Sequence, residues 1–195
     1  LHVCDRNLEQ IQSHTITATH NLLVDVCMAA QFEGKSITGR YPQYDATYPG
    51  SGSTFTMCTM LARSFADIGD IVRGKDLFIG YNEKEKDRRR KLEEKLQKIF
   101  GNIYNDLTKE KGRNGQALQA RYNGDKGNYY QLREDWWEAN RETVWKAMTC
   151  SEQLKGNKYF RRTCSNDTAD THEKCRCVNR ADVPTYFDYV PQYLR

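Results

Sequence analysis

The sequence has no apolar run of roughly 18 residues or more, so nothing in it reads as a membrane span. It also has no initiator Met and no signal-peptide pattern, and it begins and stops as an excised fragment would. Strand-like alternation is weak throughout and no internal repeat occurs, which points to an all-α architecture. Catalytic motifs are missing too. Gly34-Lys35-Ser36 imitates the end of a phosphate loop, but Ala29 stands where that loop needs its first glycine, and a helix precedes it where a strand is required. Gly50-Ser51-Gly52-Ser53 lacks the strand–turn–helix setting of a nucleophile elbow. His2, His14, His20 and His172 form no set of nucleophile, base and orienting group, and the first three lie in a polar N-terminal stretch. No enzyme and no cofactor are expected.

What the chain has is length for one domain or two packed subdomains, a charged fraction of 29%, and a net charge of only +4. A mildly basic total means that any affinity for polyanions must come from local clustering. The chain also has seven cysteines, Cys4, Cys27, Cys58, Cys150, Cys164, Cys175 and Cys177, a density that suggests an oxidising, extracellular destination. All seven are disulfide candidates. The odd number leaves at least one thiol free or paired outside the chain, and Cys4 is the candidate for that role. Cys164, His172, Cys175 and Cys177 could offer zinc three thiolates and an imidazole, but Cys175-Arg176-Cys177 is too tight for the usual ligand spacing. Disulfides fit better, with Cys175 and Cys177 taking different partners. A local Cys150–Cys164 bridge is plausible; connectivity stays open.

Helical periodicity marks several segments. Thr19 to Gln31 reads as a short helix capped by Gly34, with Gly34 to Thr54 following as a long surface loop. Phe55 to Arg73 forms the next helix and Gly74 stops it. Asp87 to Leu107 is the clearest periodic stretch, and Gly and Asn break the pattern from Gly112 to Asn128. Tyr129 to Met148 is a third long helix. Its Trp136, Trp137 and Trp145 lie at helical spacing, so core packing suits them better than a sugar platform. From Cys150 to Asn179 the chain is polar, and bridges rather than a core are expected to hold it.

Two basic clusters carry the candidate chemistry. Between Glu83 and Lys98 there are eight Lys or Arg and five acids. Alternating signs suit a solvated helix face, yet Arg88, Arg89, Arg90, Lys91, Lys95 and Lys98 could form a stripe that attracts sulfated glycans. The second cluster is Lys155, Lys158, Arg161 and Arg162 around Tyr159 and Phe160, where Arg can grip sulfate beside an aromatic ring that stacks on sugar. Ordinary surface solvation is the simpler reading of this cluster as well. Asn166-Asp167-Thr168 is a glycosylation sequon and marks surface.

Two stretches, Ala62-Arg63-Ser64-Phe65-Ala66-Asp67-Ile68-Gly69-Asp70-Ile71-Val72-Arg73-Gly74 and Leu132-Arg133-Glu134-Asp135-Trp136-Trp137-Glu138-Ala139-Asn140-Arg141 running on to Cys150, resemble the Duffy-binding-like domains of malaria-parasite adhesins. The tail from Val183 to Arg195 is similar to the alpha class of that domain, found in erythrocyte membrane protein 1 of Plasmodium falciparum. The resemblance covers nearly the whole chain. It implies an α-helical, disulfide-stapled bundle with long loops, comprising a first-subdomain remnant and loop over about 1–54 and a second subdomain over about 55–195. Such domains begin upstream of Leu1 and continue after Arg195. It further implies a host-receptor-binding adhesion role in cytoadherence and rosetting, on the extracellular face of the infected-erythrocyte membrane, with the transmembrane segment outside this chain. The implied partners are sulfated glycans, blood-group sugars, complement receptor, antibodies and neighbouring adhesin domains, with no nucleic acid. Alternatives are a protein-receptor module using a face such as the 34–54 loop, and a structural segment with no binding of its own. The two shared motifs look like scaffold.

Overall fold

A computed structural model describes residues 6–12, 19–47, 57–109, 113–125, 127–178 and 182–195. It is helical, with no strand among the described residues and a single isolated bridge between Cys164 and Ala169. The helices are α1 (Arg6–Glu9), α2 (Thr19–Thr47), α3 (Met57–Arg73), α4 (Glu83–Thr108), α5 (Arg113–Tyr122) and α6 (Tyr130–Met148). Helix α6 packs against both α2 and α3, and α4 closes the bundle against α1, α5 and α6.

The core forms where the periodic apolar faces meet. Phe65 of α3 lies between Trp137 and Trp145 of α6, with ring centroids 5.1 and 5.2 Å apart. Phe100 of α4 meets Trp136 edge-on at 6.1 Å. All three tryptophans are buried, as their helical spacing predicts. Each indole N–H is spent on an internal acceptor: Trp136 on the Thr19 carbonyl, Trp137 on Asp188 and Trp145 on the Cys175 carbonyl.

Helix ends follow local chemistry. Asn82 caps α4, its side chain accepting from the Glu85 amide at 2.9 Å, with Glu83 and Glu85 in the first turn. This cap starts the helix four residues before the predicted Asp87. Gly74 ends α3 with a φ of 72°, as expected. At the start of α6, Tyr129 makes no side-chain cap, and the Asp125 carboxylate accepts from the Gln131 and Leu132 amides instead.

Three expectations are corrected. Helix α2 does not stop at Gly34 but runs on to Thr47, so residues 34–47 are helix rather than loop; the rest of the predicted loop lies outside the described residues. Gly34 is required for closeness rather than for a cap: a Cβ there would fall on the Met148 carbonyl oxygen of α6. Second, α5 forms inside the stretch expected to be broken. Tertiary contacts hold it, since Arg121 grips Asp135 of α6 at 2.6 and 2.7 Å and Tyr122 donates to the same carboxylate. Third, Cys150 does not pair with Cys164. The bridges are Cys58–Cys175 and Cys164–Cys177, while Cys27 and Cys150 are thiols. Cys175 and Cys177 do take different partners, and Cys4 lies outside the described residues. The segment after α6 is held by more than its bridges, since Leu154 and Tyr159 join the main core.

Gly34 supplies a sharp test of helix closeness. Gly34→Ala should cost about 1–3 kcal/mol in denaturant unfolding by forcing α2 off α6. Gly39→Ala, with open space around its new Cβ, should stabilise by about 0.5–1 kcal/mol through helix propensity.

Candidate functional site

The two shared motifs fold into the interior. Arg133 of α6 is completely buried. Its guanidinium donates to the Val72 carbonyl at 2.7 Å and the Ile71 carbonyl at 3.2 Å, covering the C-terminal end of α3. The other edge of the fork takes the Glu93 carboxylate of α4 at 2.6 and 2.9 Å. A cation at the negative end of a helix dipole, bound bidentately to a carboxylate, is a favourable arrangement for so deep an arginine.

Asp188 is the second buried anchor. It accepts from the Trp137 indole at 2.9 Å and from Arg141 at 2.8 and 2.9 Å, and its carbonyl accepts from Arg73. Arg195 extends the clasp to Asp67 and Asp70 of α3. The tail from Val183 onward is therefore stitched to α3 and α6. Beside it, Gln192 pins the segment that follows α3, accepting from the Leu77 amide at 2.6 Å and donating to Asp76 at 3.0 Å. Leu77, Ile79 and Tyr81 are exposed in the segment after α3, with the Tyr81 ring edge-on to Phe78 at 5.0 Å, and Leu77 lines one cavity together with exposed Tyr193. Their two-residue spacing is visible in the sequence and was not read as a surface feature.

On α4 the cations of the predicted stripe are interleaved with acids. Successive helical residues fan around the axis, and their own acids take them up. Arg90 bonds Asp87 and Glu94, Lys91 bonds Asp87, and Arg88 lies near Glu9 and Glu85. Arg89 turns inward, pairing with Asp76 at 3.1 Å over the Phe78 ring. Lys95 reaches the Glu9 carbonyl of α1, which leaves Lys98 exposed further along. The Lys91 and Arg90 hydrogen bonds hold the Asp87 carboxyl below its ordinary range.

The second cluster has a different character. Tyr159 is its buried root, with its amide bonded to the Thr171 hydroxyl at 2.8 Å and its ring 4.9 Å from Phe160. Phe160 faces outward, with the Arg161 guanidinium 5.1 Å from its ring. Lys155, Lys158, Arg161 and Arg162 are all exposed. Arg162 meets Asp170 at 3.5 Å, while Lys155, Lys158 and Arg161 form no ion pair among the described residues. The nearby Glu152 is engaged by Lys174. The result is an exposed aromatic ring with one guanidinium beside it, in a segment that carries three further exposed cations. The thiolates that a zinc site here would need are consumed by disulfides. The sequon residue Asn166 is exposed in the same segment, in a left-handed turn.

The sequence matches the Duffy binding domain family over residues 1–195. The chain belongs to that family. Among solved structures, it resembles the NTS-DBL1(alpha-1) domain of Plasmodium falciparum membrane protein 1 (PfEMP1) from the varO strain, at 39% identity and a TM-score of 0.72 over 99% of this chain and 40% of that one. The NTS-DBL1-alpha and CIDR-gamma double domain of the same strain's PfEMP1 is 40% identical with a TM-score of 0.73, over 99% of this chain and 25% of that one. The ICAM-1-binding DBLbeta domain of PfEMP1 IT4var13 is 31% identical over the whole chain and 39% of its own length, with a TM-score of 0.69. Curated proteins contain no match. The likeness to DBL1-alpha domains supports the alpha class, and the Duffy-binding fold accounts for the helical bundle seen here. The chain spans about 40% of the DBL1-alpha structure it matches. No helix among the described residues is long and apolar enough to cross a membrane.

Two predictions concern this family scaffold. Arg133→Lys, which keeps the charge but not the fork, should destabilise the fold by about 3–5 kcal/mol in denaturant melts, because the α3 carbonyls and Glu93 lose matched donors. The second is a pH dependence. Burial pushes the Asp67 carboxyl up from 3.8 to about 6, with Asp70 and Asp76 adding and Arg195 opposing. A carboxyl that holds its proton more tightly when folded favours the fold while protonated. Its contribution is therefore present below the unfolded value and is lost as pH rises through about 6. Asp67→Asn should flatten the fall in denaturant midpoint across that window.

Proposed function

We propose that this chain is the scaffold and ligand-contacting part of a host-receptor-binding adhesion domain on the surface of the infected erythrocyte. Family membership over residues 1–195 carries this reading, and relatives that bind ICAM-1 support it. The ligand class we favour is a sulfated glycan, held at Lys155, Lys158, Arg161 and Arg162 around Phe160. Exposed Lys158 and Arg161, which form no ion pair among the described residues, keep their charge available to sulfate, and an exposed ring offers a sugar a stacking face. The α4 cations are partly offset by acids one turn away, which weakens their field at a distance. Many copies on one cell surface would add avidity to a weak single site, in keeping with rosetting. Blood-group sugars and complement receptor remain partners that the family resemblance suggests for the longer protein.

A protein receptor is the second reading. ICAM-1 recognition by DBLbeta relatives favours it, and the apolar face at exposed Leu77 and Tyr193, which line one cavity, would supply the apolar contact. Retention on immobilised heparin across a salt series separates the two. Changing Lys155, Lys158 and Arg161 to Ser should lower affinity at low salt by at least about tenfold, or about 1.4 kcal/mol. Changing Arg88, Arg90 and Lys91 to Ser should leave it nearly intact. Loss in the second variant alone would move the site to α4. Absence of salt-sensitive retention in the parent chain would remove the glycan reading and leave the apolar face.

A further inference from the structure

Two cysteines among the described residues carry free thiols, and they stand on facing elements. Helices α2 and α6 run in the same direction. Their register is set at one end by the Trp136 indole on the Thr19 carbonyl and at the other by Gly34 against the Met148 carbonyl. The residues that leave α6 continue beside α2, since the Thr38 hydroxyl lies 3.5 Å from that of Ser151. Between these contacts, Cys150 Sγ accepts from Gln31 Nε2 at 3.6 Å. Cys27 stands one turn before Gln31 on α2, and residues so spaced have Cβ atoms roughly 5–6 Å apart on one face. Cys150 is exposed just past the α6 C-terminus, and Cys27 is half-buried. The Gln31 side chain thus links Cys150 to the turn of α2 that follows Cys27.

We propose that Cys27 and Cys150 form a third disulfide, which fastens α2 to the C-terminal end of α6. The bond is made by exchange with a donor disulfide such as oxidised glutathione. Exposed Cys150 attacks first as thiolate, forming a mixed disulfide and releasing one donor thiol. Cys27 then attacks the Cys150 sulfur and releases the second. The two cysteines lose two protons and two electrons, and the donor gains them as two thiols. Burial pushes the Cys27 thiol up, so the closing step speeds up with rising pH. With this bond, Cys4 is the one cysteine of the seven left without a partner in the chain.

The closed loop joins elements already held by packing, so its geometry is set before the bond forms. Its chain separation exceeds that of Cys58–Cys175, and long loops are those whose closure constrains the unfolded chain most.

The test is a disulfide map of the full 195-residue chain after refolding with reduced and oxidised glutathione. Trypsin without reduction should release the peptide from Asn7 to Lys35 joined to the peptide from Ala147 to Lys155. Cys150→Ser should make Cys27 newly alkylable once the chain is unfolded, and Cys27→Ser should do the same for Cys150. The double variant should keep both described bridges and unfold at lower denaturant. Alkylation of both thiols in the refolded parent, Cys27 joined to Cys4, or Cys150 joined to Cys150 of a second copy would each overturn the assignment. The parent digest decides the question even where a variant fails to fold.

Discussion

Three helices of this domain meet at one guanidinium. Arg133 has no exposure, and its donors are divided between the last carbonyls of α3 and a carboxylate of α4. An arginine in that position is costly to bury unless every edge is met, and here the meeting partners come from separate elements. The constraint works in both directions. The end of α3 must sit where the fork can reach it, and Gly74 must follow, because a side chain there would collide with the guanidinium. Asp188 repeats the logic at the other face, drawing the tail onto Trp137 and Arg141. Residues that read as family motifs are thus spent on holding helices in register, which takes them away from the surface where a receptor could meet them.

Much of this fold was legible because α3, α4 and α6 each carry a strong 3.6-residue apolar rhythm. The errors have local causes. Gly34 is a helix breaker by propensity, yet its missing Cβ is what lets α2 approach the Met148 carbonyl, a tertiary demand that no one-dimensional rule sees. Helix α5 contains Gly115 and follows polar residues, and it is held by the Arg121–Asp135 fork across to α6. The start of α4 was knowable, since Asn82 followed by two acids is a cap signature. Cysteine pairing was open by nature. Sequence proximity favoured Cys150 with Cys164, whereas the chain turns back at Cys164 to bring Cys177 beside it.

The candidate site shows the same division. A list of cations does not distinguish charge available to a ligand from charge already matched. On α4 the acids at three- and four-residue spacing can be paired with their bases from sequence alone, as the alternating signs indicate. The inward turn of Arg89 to Asp76 depends on the path after α3 and could not have been read. For Lys158, Arg161 and Arg162 the lack of acids at such spacing was visible, but the burial of Tyr159 beneath exposed Phe160 was not. The proposed function thus rests on a division of labour between an interior of shared motifs and an exposed ring with Arg161 beside it.

Hydrogen exchange read by mass spectrometry, with and without a sulfated heparin oligosaccharide at low salt, tests that division most directly. The account predicts slowed exchange confined to peptides spanning residues 155–162, with α3, α4 and α6 unchanged. Slowed exchange centred on α4 between Glu83 and Lys98, or none at residues 155–162 while the oligosaccharide is bound, would contradict it.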